Sequence, residues 1–200
     1  MSIKLNSFLP LLLPLIVAFS ASIDTLQAQE KFEREQKINE SFAPAKAIEF
    51  VSTIKEKSKP KWYKEISNEG VSYEAKFKVD KSLFSVKFDT LGHIQDVEKK
   101  VKLNDLNPQT SQLIETTLTK ALGSYKIDKI QLQWTSASTA TLIELIDKGN
   151  SSSAYELKYE IVVEAKVDGA FRLFELLINK NGEVEKQLRI VQREPDNLIF

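Results

Sequence analysis

Three glutamates, Glu156, Glu160 and Glu164, recur at even spacing in the run ELKYEIVVEAKV, with Lys158 and Lys166 on the same parity. Alternate residues of a strand share a face, so all three carboxylates line one side. Paired carboxylates do acid–base chemistry when their surroundings push the pKa values apart. The alternation with Tyr159, Ile161 and Val163 puts these glutamates on the wetter face, which predicts a solvated surface row. His93 is the single imidazole of the chain and follows Gly92 in a turn. A general base needs a nucleophile within hydrogen-bond reach, and no local spacing supplies one. Asp89 and Asn179 read as turn residues, because calcium would need several more oxygen ligands close by. The six glycines are isolated, at 70, 92, 123, 149, 169 and 182, so none forms a phosphate-cradling loop. With no Cys, thiol catalysis, disulfides and zinc–cysteine sites are excluded. The residues point to no catalytic, cofactor or metal site, and the chain is read as not an enzyme.

Binding offers more than chemistry. Trp62 and Trp134 are the residue type that dominates interface hot spots, but each lies near a first strand, where packing is the expected role. Leu173 and Leu177 stand opposite Phe174, Leu176 and Ile178, and Val162 falls on the wet side of the neighbouring strand. The comparable places earlier in the chain carry Leu83, Ser85, Lys87 and Lys76, so the second outer face is the more apolar. A contiguous apolar patch marks a partner site. Val162, Leu173 and Leu177 are therefore the candidate partner-binding residues. The competing expectation, which is preferred, is that an apolar helix at 141–148 folds back and covers Leu173 and Leu177.

The elements that must hold these residues read as one pattern written twice. Pro44 and Pro108 sit where a first helical residue would, since proline lacks an N–H that a helix start does not need. Ala47, Ile48, Val51 and Ile54 follow the first at helical spacing; Ile114, Leu118, Ala121 and Leu122 follow the second, with Asn107 as N-cap and Gly123 as stop. Strand alternation follows each helix, as in VSYEAKFKV at 71–79. FDTLGHI at 88–94 and INKNGEV at 178–184 both place Asp or Asn three residues before Gly, the chemistry of a hairpin turn. TATLIELIDKG reads as a helical insert in the second unit. The predicted fold class is α+β: two tandem helix-plus-four-strand units, with antiparallel sheets and helices packed on one face. The units span 29–104 and 105–200, the insert lying around 137–152.

The start of the chain differs from the rest. Phe8 to Phe19 reads FLPLLLPLIVAF, twelve residues without a charge. A bilayer of ~30 Å needs about 20 apolar residues, so this run suits a signal-peptide core. Residues 1–28 are read as that signal peptide, with cleavage after Ala28 preferred to cleavage after Ser20. Lys+Arg and Asp+Glu both number 28, so the chain carries no basic footprint for nucleic acid.

The repeated unit, with its F-D-x-x-G-x-I hairpin and Y-E-A-K-F strand, resembles the PepSY-like family of exported bacterial proteins, also described as β-lactamase-inhibitor-protein-like. The resemblance covers residues 40–192 and rests on structural motifs. It implies two helix-packed antiparallel sheets, separate or run together into one curved sheet, and an exported protein, and it carries over no binding residue. The expectation is a non-catalytic, exported module, periplasmic or secreted, that binds a protein or peptide partner. It is expected to bind no nucleic acid and not to stay in the membrane once the signal is removed. A carboxylate-dependent hydrolase and a structural or chaperone-like envelope module are the alternatives.

Overall fold

The computed structural model describes residues 29–191. The signal-peptide reading of 1–28 lies outside them. In chain order the elements are β1 Gln29–Lys31, β2 Glu33–Ile38, α1 Ala45–Thr53, β3 Lys61–Ser67, β4 Gly70–Val79, β5 Ser82–Phe88, β6 Ile94–Val101, α2 Pro108–Leu122, β7 Tyr125–Thr135, α3 Thr139–Lys148, β8 Glu156–Val167, β9 Ala170–Asn179 and β10 Val184–Ile190.

Local signals explain most of these. The Asn107 side chain accepts the Thr110 N–H, capping α2, and Pro108 is its first residue. Ser138 caps α3 in the same way, and Gly149 ends it in the left-handed region. In both equivalent hairpins the Asp89 or Asn179 side chain accepts backbone N–H groups across the turn, and Gly92 and Gly182 each take φ +83°.

The expectation of two helix-plus-four-strand units with antiparallel sheets is corrected on three counts. First, the strands do not divide into two units of four: all ten form one sheet, in the order β1-β10-β9-β8-β7-β6-β5-β4-β3-β2, which answers the open question of whether the sheets run together. The halves join where β6 meets β7, pairing Val97 with Trp134 and Val101 with Ile130. Each of those strands would otherwise present an unpaired edge, and pairing removes both edges. Second, the sheet is mixed, because β1 runs parallel to β10. Third, α3 packs into the core shared with α1 and not into the core under α2. Leu142, Leu145 and Ile146 join a core with Phe50, Trp62, Phe77, Phe84, Val86, Phe88 and Trp134. A second core gathers Ile114 and Leu118 of α2 with Ile130, Tyr159, Ile161, Val163, Phe174, Leu176 and Ile178. Both cores lie on the helix-covered face.

The opposite face is turned inward. β1 and β2 are separated by Phe32 alone, yet they stand at the two ends of the strand order. One extended segment therefore pairs with β10 by its first half and with β3 by its second, so the sheet rolls until it nearly closes. Asn68, in the β3–β4 turn, fastens the crossing point. Its Oδ1 accepts the Phe32 N–H and its Nδ2 donates to the Glu30 carbonyl, each at 2.9 Å. Lys186 of β10 reaches across to Glu69 beside it.

Candidate functional site

Strand register decides what lines the inside of the roll. Directly opposed residues share a face. One row across the sheet runs Glu74, Lys87, Asp96; a second runs Lys76, Ser85, Glu98, Gln133, Lys158; a third runs Lys100, Gln131, Glu160, Leu177. A fourth runs Lys129, Val162, Glu175, Leu188. The interior is thus a charged lattice that becomes apolar toward β9 and β10. It encloses a cavity of about 490 Å³ that draws its walls from both ends of the strand order, with Lys31, Glu65, Asp96, Glu160, Leu177 and Leu188 among them. A smaller lobe of about 190 Å³ adjoins it and shares Lys31, Glu65, Lys87, Glu98 and Glu160.

Most of these carboxylates have a cation. Lys31 reaches Glu175 at 2.8 Å, Lys87 reaches Glu65 at 2.6 Å and Lys129 reaches Glu160 at 3.1 Å. Glu69 pairs with Lys186, and Glu30 with Arg189. Asp96 and Glu98, two apart on β6, make no ion pair among the described residues. Burial, with Glu160 and Glu74 adding repulsion against the pull of Lys87, pushes the Asp96 carboxyl up to about 7. Burial, reinforced by Glu160 and Asp96, pushes Glu98 well above the usual carboxylate range. Burial also opposes ionisation of Glu160, but Lys129, Lys31 and the hydrogen bond from Glu98 outweigh it and its pKa falls. The Glu98 side chain thus neighbours the Glu160 carboxylate, and it also accepts from Gln131 Nε2. Two buried acceptors, Asp96 Oδ1 and Gln131 Oε1, have no hydrogen-bond partner among the described residues.

Of the residues singled out from sequence, Glu160 is not a solvated surface residue; its side chain is 13% exposed inside the roll. Glu156 is exposed and pairs with Lys158. His93 is exposed, its Nδ1 lying 2.9 Å from Asp89 Oδ2 in the hairpin. Trp62 and Trp134 are both 2% exposed and belong to the core. Val162 is 7% exposed, and Leu173 and Leu177 are half-buried. All three lie on the inward face, and the expectation that 141–148 covers Leu173 and Leu177 is overturned, because α3 packs into the first core on the other face. Sequence reasoning missed Asp96, Glu98, Lys129 and Gln131. Each is an ordinary wet-face residue in its own strand, and only the register between strands assembles them.

No family model and no curated protein matches the chain. Solved structures do. A BLIP-like protein from Bacteroides fragilis is 16% identical, with a TM-score of 0.46, covering 76% of this chain and 90% of that one. A DUF2874 family protein from Bacteroides ovatus is 13% identical, with a TM-score of 0.49, covering 74% and 87%. A third, from Bacteroides eggerthii, carries a provisional periplasmic description; it is 11% identical, with a TM-score of 0.49, covering 74% and 89%. The first bears the name of the family that the hairpin and strand motifs resemble.

Proposed function

We propose that this chain is an exported, non-catalytic binding module that takes a segment of a protein or peptide partner into the rolled sheet. The observation that supports it most is the cavity of about 490 Å³, whose apolar side at Leu177 and Leu188 continues into Val162 and Leu173 through the strand register. A half-buried apolar strip beside polar groups is the ordinary make-up of a recognition site. Export is supported by the uncharged Phe8–Phe19 run. Among the described residues no helix is long and apolar enough to cross a membrane.

Glu98 and Glu160 favour a second reading, a carboxylate-dependent hydrolase. The Glu98 side chain is near enough to Glu160 to help lower its pKa, whereas glycosidase pairs stand roughly 5–9.5 Å apart with room for a sugar or water between them. Gln131 holds Glu98, and Lys129 holds Glu160. Neither is free to act as a base, so binding is the better reading.

The test is site-specific photocrosslinking in intact cells, with a benzophenone side chain at Leu173 or Leu177 and a control at Glu115 on the outer face of α2. A discrete adduct from the two inner positions alone supports the module. Adducts from Glu115 alone place the partner elsewhere and reject it. No adduct from any position also rejects it, and a smear of many adducts from the inner positions indicates the chaperone-like alternative.

A further inference from the structure

We infer that the interior site receives a cation on an aliphatic stem, the side chain of a lysine or arginine supplied by an extended partner peptide. The inference deepens the binding-module reading and rests on it. Three independent features of the cavity converge.

The first is a charge count. Of the carboxylates lining the larger lobe, Glu30, Glu65, Glu69, Glu160 and Glu175 each hold a basic group of this chain. Asp96 and Glu98 hold none among the described residues. Residues two apart on a strand lie on one face about 6.6 Å apart, so one ammonium or guanidinium fits between them. The second is the pair of acceptors, Asp96 Oδ1 and Gln131 Oε1, shielded from solvent and without a partner among the described residues; Gln131 is 7% exposed. A buried acceptor without a donor is costly, and a ligand N–H removes the cost. The third is the apolar wall. Leu177 and Leu188 line the larger lobe with Asp96 and Glu98, and Gln131 lines the adjoining smaller lobe, which shares Glu98 and Glu160. A bare metal ion gains nothing from such a wall, and calcium takes 6–8 oxygens. A lysine or arginine stem does gain, since its methylenes bury along apolar surface while the head stays among polar groups.

The groups facing Asp96 come from every neighbouring strand: Glu65, Glu74 and Lys87 on one side, Glu160 on the other, Glu98 on its own strand, with Lys31, Glu175 and Lys186 across the cavity. A cation arriving among them displaces the proton that Asp96 shares with solvent near neutral pH, so binding releases a proton.

Calorimetry with the processed protein tests this with the peptide Ac-Ser-Leu-Ser-Lys-Ser-Leu-Ser-amide, its norleucine counterpart in place of lysine, and free cadaverine. The lysine peptide should bind at least tenfold tighter than the norleucine peptide. Its heat at pH 7 should depend on the buffer's ionisation enthalpy, and Asp96→Asn should remove both differences. Glu98→Gln is the second variant, with circular dichroism confirming that each folds. Equal binding of the two peptides overturns the cation site and leaves the binding face standing. Binding of cadaverine but of neither peptide keeps the cation and removes the peptide source. No binding of any probe overturns the cation site, and the crosslinking result then decides the face separately.

Discussion

Lys31, on the segment that closes the roll, reaches the Glu175 carboxylate of β9 at 2.8 Å, and Glu33 flanks it at 2.7 Å. Both acids hold the ammonium charged against the opposing effect of burial, and the Lys31 pKa is raised. A largely buried pair adds little over an apolar pair of the same volume, but removing one partner strands the other's charge. Lys31→Met should therefore cost about 1–3 kcal/mol, and Lys31→Met with Glu175→Leu should recover most of that loss. Urea midpoints of the two single variants and the double variant check it; a double variant as weak as the sum would place the effect elsewhere.

The two hairpin glycines should respond unequally to Val. Both sit at φ +83°, where a β-branched residue is strained. A Cβ at Gly92 would meet the Ala47 backbone nitrogen at 2.9 Å, whereas at Gly182 it would meet the Leu113 side chain, which can rotate away. Gly92→Val should cost about 3 kcal/mol or more and Gly182→Val about 1–3 kcal/mol. Chemical denaturation of both variants decides, and the reverse order would show that the α1 contact is loose.

Stability should fall as the pH rises from about 4 to 7. Asp96 ionises near 3.8 in its ordinary state and near 7 in the fold. Between those values folding takes up a proton, so the stability is whole below about pH 4 and declines until the folded group has titrated. Burial raises Glu65, Glu74, Glu98 and Glu175 as well, which adds to the same slope. Glu69 and Glu160 are lowered and act in the opposite sense only near or below 4.5. Each proton taken up contributes about 1.4 kcal/mol per pH unit. Urea midpoints at pH 5 and pH 8, at one ionic strength, should be higher at pH 5, and Asp96→Asn should flatten the difference. A higher midpoint at pH 8 for both proteins would contradict the buried-acid interior.

Leu173→Ala should be mild. The side chain is half-buried opposite Glu164 and Ile190, with no helix over it. The expected cost is about 1 kcal/mol, against 2–5 kcal/mol for a fully buried leucine such as Leu145. Thermal denaturation of Leu173→Ala beside Leu145→Ala measures the contrast, and equal losses would mean that something covers Leu173.

Sequence alone determined what short-range chemistry controls. The Asn107 cap, the Gly92 and Gly182 turns and the two-residue alternation of β4, β8 and β9 follow from side-chain reach and φ preference within a few residues. The helix-covered face was legible for the same reason, since Tyr159, Ile161 and Val163 alternate against polar neighbours. The tertiary structure decided which edges pair. Alternation says that a strand has a wet side, but a wet side becomes an interior only when the sheet rolls. That depends on the segment from Gln29 to Ile38 pairing with strands at both ends of the order. Glu160 therefore read as surface and is buried, and Asp96 gave no signal until the register set it beside Lys87. The placement of α3 had the same cause. Its apolar face was visible in TATLIELIDK, but burial is non-directional, and only the joined sheet brought Trp134 and the first core within its reach.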